Sequence, residues 1–218
     1  MQANGFAINT LDELEQAAVS LIRLDGRFAV LHERNGLPRL RTRQGGLEGL
    51  AWIVTGQLIS ARAAEAIWQR VSAALAPFEA RQIAGLDIDE VAGLGLTRAK
   101  AQTIIDAAGA VRDGAFSFAA LEAMDDAQAA RALTNLRGIG RWSADIYLMT
   151  CLGRPDAWPA GDLAVRAGVQ AFLGMPSLPA IAAMDGLASG WRPWRAVAAR
   201  FLWDHYVETR LKGRVEAG

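Results

Sequence analysis

Two short segments hold residue types that could do chemistry on a nucleotide. Leu136-Arg137-Gly138-Ile139-Gly140-Arg141-Trp142 is a Gly-x-Gly turn running into an apolar helical pattern. Such a turn leaves backbone N–H groups open to a phosphate, and its glycines let another backbone come close without a Cβ in the way. Further along, Pro159-Ala160-Gly161-Asp162 places one carboxylate at the head of the next helical run. A carboxylate so placed can stabilise positive charge that builds in a transition state or orient an attacking water. Asp162 before Leu163-Ala164-Val165-Arg166 is also a good helix N-cap. The two roles are compatible, because a helix N-terminus favours an ionised carboxylate.

The elements that must position these residues read as helices throughout. Thr10-Leu11-Asp12-Glu13 is a capping box opening a helix to about Leu24, apolar at Leu14, Ala17, Ala18, Leu21 and Ile22. A short helix is expected over about 27–34 and a loop over 35–46, with Pro38, Gly45 and Gly46. Further helices are expected at about 47–59, 62–76, 97–112, 126–135, 141–152, from Asp162 to 173, 178–188 and 193–211, separated by Gly, Pro or Asp. No stretch alternates as a strand between hairpin turns, so the fold class is all-α.

Composition narrows the field. The chain has 218 residues, room for one large domain or two small lobes, and 52% of them are hydrophobic. No secretory leader is read before Thr10, and no apolar run is long enough for a bilayer, so a cytoplasmic protein without membrane contact is expected. Cys151 is the single cysteine, which excludes an intrachain disulfide and any four-cysteine cluster. His32 and His205 stand without ligand-spaced partners and are read as structural or surface residues; no cofactor and no side-chain metal site are expected. The 23 basic and 23 acidic residues cancel, which argues against tight coating of nucleic acid. Locally, Arg34, Arg39, Arg41 and Arg43 share one loop, Arg137 and Arg141 flank the Gly-x-Gly turn, and Arg192 and Arg195 lie near Trp191 and Trp194. These are either a patchy phosphate footprint or solvated helix faces.

Residues 136–162 resemble the helix-hairpin-helix and Gly/Pro…Asp signature of the DNA base-excision glycosylase superfamily. Gly138-Ile139-Gly140-Arg141-Trp142 and Trp191-Arg192-Pro193-Trp194-Arg195 look like its 3-methyladenine DNA glycosylase II branch, as do Gly56-Gln57-Leu58-Ile59-Ser60 and Gly95-Leu96-Thr97-Arg98-Ala99-Lys100-Ala101. The four motifs occur in the family's order over roughly residues 40–212. The resemblance implies two helical lobes, 1–44 with 156–218 and a central 45–155, and a cleft between them for an extruded base; larger family members add an N-terminal β domain, but the first 44 residues read helical, so none is expected here. It implies a DNA-associated protein acting on double-stranded DNA that contains alkylated bases, and the neutral charge with all four motifs in one chain makes a monomer the expectation.

Residue by residue, the resemblance makes Asp162 the catalytic acid group. It places Trp142 where strand-cutting relatives have a Schiff-base lysine, implying a monofunctional enzyme that uses water. Trp142 and Trp203 would line the base pocket, stacking on an electron-poor base, although each could instead be a core anchor. Ile146 and Leu163 stand where the family has aromatic pocket residues, leaving fewer faces to grip a base. Leu58 would fill the space left by the flipped nucleotide, and Gln57 would bond the orphaned base or hold the loop; a buried leucine at a helix end is the other reading. Ser60 is expected as an N-cap with a side contact to phosphate. Gly138, Gly140, Arg141 and Ser143 would hold the strand, with a monovalent cation on the carbonyls of Leu136 and Gly138. Asp145 is expected to be a buried anchor or ion-pair partner. Two other functions stay open: a non-catalytic DNA-binding hairpin module, for which an acid at Asp162 has no use, and a glycosylase for deaminated, oxidised or mismatched bases.

Overall fold

The computed structural model describes residues 6–215, and side chains are described as far as residue 209. Among the described residues twelve α-helices follow one another: α1 (Leu11–Leu24), α2 (Arg27–Asn35), α3 (Gly46–Gly56), α4 (Ala61–Leu75), α5 (Ala80–Ile83), α6 (Ile88–Ala92), α7 (Arg98–Arg112), α8 (Asp126–Thr134), α9 (Arg141–Thr150), α10 (Leu163–Leu173), α11 (Ile181–Leu187) and α12 (Arg195–Val215). No strand occurs among the described residues, in line with the all-α expectation. The chain falls into two units, residues 1–42 with 152–218 and residues 43–151. The joints lie before those implied by the resemblance, at 42/43 rather than after 44 and at 151/152 rather than after 155.

The first unit holds α1, α2 and α10 to α12. The capping box forms as read: Thr10 Oγ1 accepts from the Glu13 N–H, and the Glu13 carboxylate accepts from the N–H groups of Thr10 and Asn9. Leu14, Ala17, Ala18 and Leu21 of α1 are fully buried with Phe28, Val165, Val169 and Val197. Phe28 anchors an aromatic cluster, its ring 4.5 Å from Phe172, 5.3 Å from Trp191 and 5.7 Å from Phe201. Helices α10 and α12 meet at Gly168, where a Cβ would lie 2.5 Å from the Leu202 carbonyl oxygen and 2.9 Å from Leu202 Cβ. Only glycine permits that approach, and Leu202 adjoins Trp203.

The second unit packs α3 to α9 around Leu50, Ile53, Val54, Val71, Ile83, Ile104, Leu133 and Tyr147. Tyr147 reaches back to α3, its hydroxyl accepting from the Gly46 N–H at 2.7 Å. Burial drives the Tyr147 hydroxyl to a pKa well above its ordinary value. Cys151 lies against Gly49, and burial pushes its thiol up to about 11.

Two readings of the sequence need correction. The helix expected over 47–59 ends at Gly56, so Gln57, Leu58 and Ile59 lie in a turn. Helices α5 and α6, and the 3-10 turns Ala119–Ala123 and Ser189–Trp191, occur where no helix was expected. Each of these is too short to display a helical period.

Candidate active site

In the first unit the loop that delivers Asp162 is pinned at the start of α12. Arg195 clasps Asp156 through Nε to Oδ1 at 2.8 Å and one terminal nitrogen to Oδ2 at 2.8 Å, and also reaches the Asp156 carbonyl at 2.9 Å. Arg192 adds a bond to Asp156 Oδ2 at 2.6 Å, and the Ala196 N–H donates to the Pro155 carbonyl. A turn follows in which the Asp162 N–H donates to the Pro159 carbonyl. Asp162 then caps α10, its Oδ1 accepting from the N–H groups of Ala164 at 2.9 Å and Val165 at 3.0 Å. A third donor reaches the same oxygen from α12: the Trp203 indole N–H, at 2.9 Å. Charge-assisted bonds from two helices thus set the plane of this carboxylate.

Trp203 is half-buried, with its N–H committed to Asp162 and the Arg41 guanidinium over its ring, 5.4 Å from the centroid. Leu163 is 60% exposed, directly after the acid.

In the second unit the hairpin runs from α8 through residues 135–140 into α9. Gly138 has φ +80, and a Cβ there would collide with the Thr103 hydroxyl on α7. Only glycine suits both the left-handed backbone and the close approach. Gly140 is the N-cap of α9 with no side-chain cap, so the first N–H groups of α9 are not taken by a capping side chain. Trp142 is half-buried on the first turn of α9, and Ile146, a turn later, is only 5% exposed and offers little surface. Ser143 is buried, and Arg141, largely exposed, pairs with Asp145 at 3.4 Å. Asp145 is therefore an ion-pair partner, one of the two roles read for it.

The turn after α3 is fastened from two sides. Gln57 Nε2 donates to Ser143 Oγ at 2.9 Å and to the Gly138 carbonyl at 3.2 Å, tying the turn to the hairpin. Lys100 Nζ donates to the carbonyls of Thr55 at 2.9 Å and Gln57 at 2.7 Å, closing the end of α3. Partial burial lowers the Lys100 pKa from its ordinary value. Between these fastenings Leu58 is wholly exposed, in a left-handed conformation with φ +58. It is thus not the buried leucine at a helix end that was the other reading, and Gln57 holds the loop. Ser60 caps α4 through the Ala63 N–H.

The arginine footprint needs revision. Arg39 and Arg41 both pair with Asp204, Arg137 with Asp106, and Arg192 and Arg195 with Asp156, while Arg43 sits over the Trp52 ring. Each of these carboxylates is far off in sequence, so spacing gave no sign of the pairing. The fastening by Lys100 also escaped sequence reasoning; the signal lay in its own motif, Gly95 to Ala101.

The described residues thus form a helical fold that carries a Gly-x-Gly hairpin, an exposed apolar side chain on a fastened turn and an anchored carboxylate. Residues 51–193 match the model of the HhH-GPD superfamily base excision DNA repair proteins, and the chain belongs to this family. The chain is 25% identical over 198 residues to the alkylbase DNA glycosidase-like protein mag2 of Schizosaccharomyces pombe, covering 88% of this chain and 93% of that one. It is 30% identical over 121 residues to Bacillus subtilis YfjP, 56% of this chain, and spans only 42% of that relative's length. Among solved structures, the 3-methyladenine DNA glycosylase Mag1 of Schizosaccharomyces pombe in complex with abasic DNA superposes with a TM-score of 0.79 at 25% identity, covering 86% of this chain and 95% of Mag1.

Proposed function

We propose that this protein is a monofunctional DNA glycosylase that hydrolyses the N-glycosidic bond of alkylated purines, of the 3-methyladenine type, flipped out of duplex DNA. The observation that carries the reading is the Asp162 carboxylate, whose Oδ1 takes two backbone donors and an indole donor from a second helix. A helix cap needs only the backbone donors; the indole adds orientation that a cap does not require. The family membership and the named activities of mag2 and Mag1 support the same substrate class.

In the reaction the bond between the sugar C1′ and the purine nitrogen breaks, and its electron pair leaves with the base. An alkylated purine carries positive charge before cleavage and departs neutral, which makes it a good leaving group. The sugar becomes oxocarbenium-like, and Asp162 stabilises that charge. Water adds at C1′ and gives up a proton, leaving an abasic site. Trp142 supplies an indole where a Schiff-base mechanism needs an amine, so no strand cleavage accompanies base release.

The remaining roles are assigned residue by residue. Trp203 and Leu163 contact the sugar or base beside Asp162, and Trp142 stacks on an electron-poor base, while Ile146, buried, is left out of that contact. Leu58 enters the DNA stack at the cost of unstacking a step. Gly138, Gly140, Arg141, Ser143 and Ser60 hold the backbone of the strand. The Leu136 carbonyl accepts from the Ile139 N–H and the Gly138 carbonyl from Gln57, and each keeps a second lone pair with which it would share a monovalent cation with a phosphate. The protein works as a monomer on DNA.

The test is base release from methylated duplex DNA, with and without alkali. Free methylpurine, with strand breaks only after alkali, is the expected result. Intact DNA binding without release of any methylated base would move the protein to the binding-module class.

A further inference from the structure

We infer that Arg41 is a positioning residue for the Asp162 carboxylate, acting through the Trp203 indole; the inference rests on the glycosylase reading of Asp162. The segment before the second unit is tied to one face of α12 at three consecutive residues. The Asp204 carboxylate accepts from the Arg39 N–H at 3.0 Å and from the Arg39 guanidinium at 3.0 and 2.8 Å. The Leu40 carbonyl accepts from Nε of the fully buried Arg200 at 2.9 Å. Arg41 then donates to Asp204 Oδ1 at 3.1 Å and lies over the Trp203 ring. Asp204 is thus held below the ordinary carboxylate range: burial pushes its pKa up, and the bonds from Arg39 and Arg41 outweigh that.

Arg41 has φ +54, a left-handed conformation that costs energy in a residue with a side chain. Its ion pair does not account for that cost. Arg39 already serves Asp204 with three bonds, and an additional pair at a side chain 36% exposed contributes little. What the conformation does secure is the guanidinium against the indole face. There it fixes the ring plane, and a cation on the π-face strengthens the indole N–H as a donor. The N–H so fixed is the one that reaches Asp162 Oδ1. A strained residue one contact away from the proposed reacting centre is where stored backbone strain is expected to serve function.

The experiment compares Arg41→Gly, which keeps the left-handed backbone, Trp203→Phe, which keeps a ring without the donor, and the double variant. Rates of base release from methylated duplex DNA are read with KM and the salt dependence of DNA binding, beside indole 15N–1H spectra and thermal midpoints. Loss of one oriented donor lowers kcat about tenfold in each single variant, and in Arg41→Gly, which leaves the residues assigned to the base in place, KM is unchanged. The double variant is no slower than Trp203→Phe, because both substitutions remove one device. The Trp203 indole signal, assigned by its absence in Trp203→Phe, moves in Arg41→Gly in the direction that Asp162→Asn moves it. Arg41→Lys, with charge but no planar group, recovers only part of the rate.

Multiplying effects in the double variant, an unmoved indole signal in Arg41→Gly, or full rescue by lysine would overturn the inference. A weakened DNA affinity with a shallower salt slope and unchanged kcat would make Arg41 a phosphate contact instead. Should the unmodified protein release no base, the glycosylase reading fails, while the indole spectra still decide whether Arg41 holds Trp203 on Asp162.

Discussion

Replacing Asp162 by Asn and by Ala separates its two jobs, capping α10 and stabilising charge. The Asn Oδ1 can accept the same three bonds, from Ala164, Val165 and Trp203, that the carboxylate accepts. It loses only the charge–dipole term at the helix N-terminus, about 0.3–1 kcal/mol. Ala loses the cap, about 1 kcal/mol, and strands a half-buried indole N–H, about 1 kcal/mol more. For a chain of this size each kcal/mol lowers the thermal midpoint by roughly 2–4 °C. Ala should therefore melt about 4–8 °C below the unmodified protein and Asn within about 1–4 °C of it. Activity should not follow that order. Removing a preorganised electrostatic contact to a charge-developing transition state costs on the order of 100- to 1,000-fold, so both variants should be nearly inactive. Thermal unfolding and single-turnover base release, run on the same preparations, check this. An Asn variant that keeps a third of the rate would refute the electrostatic role; one that melts as low as Ala would refute the assignment of the three bonds to Oδ1.

Three more outcomes follow from the geometry. Leu58→Ala should leave stability within about 0.5 kcal/mol, since the side chain is wholly exposed, yet weaken extrusion of a fluorescent base analogue at a lesion; a normal extrusion signal would remove Leu58 from the DNA stack. Gly168→Ala forces a Cβ to within 2.5 Å of the Leu202 carbonyl oxygen, so about 1–3 kcal/mol of stability and much of the activity should be lost together, as α12 carries Trp203 away from Asp162; calorimetry and rate on one sample read both. Asp25 is held down at about 2 from 3.8, first by its bonds from Arg27, against opposing burial, and then by the Trp191 indole. A carboxyl depressed in the folded state stabilises above its unfolded value and loses that contribution as pH falls toward its folded value. The thermal midpoint should accordingly drop between about pH 4 and 2, and an Asp25→Asn variant should show a shallower fall over that window in a melting series.

What the sequence determined by itself is local. The Thr10–Glu13 box, Ser60 at the head of α4 and Asp162 at the head of α10 are capping interactions within three residues, which residue type and spacing specify without reference to the rest of the chain. The long amphipathic helices were legible for the same reason, whereas α5 and α6, of four and five residues, offered no period to read. The end of α3 escaped because it depends on Lys100 taking the Thr55 and Gln57 carbonyls from another helix, and that also decides that Leu58 stands in solvent. Charge was the least legible property: Arg39 and Arg41, two of an arginine cluster in sequence, became ion pairs because Asp204 lies 165 residues from Arg39 along the chain but against it in the fold. The Trp203 bond to Asp162 belongs to the same category, joining residues 41 apart through the glycine crossing of α10 and α12. Caps are set by neighbours along the backbone; a carboxylate's third donor and an arginine's partner are set by which helices pack together, and only the tertiary structure decides that.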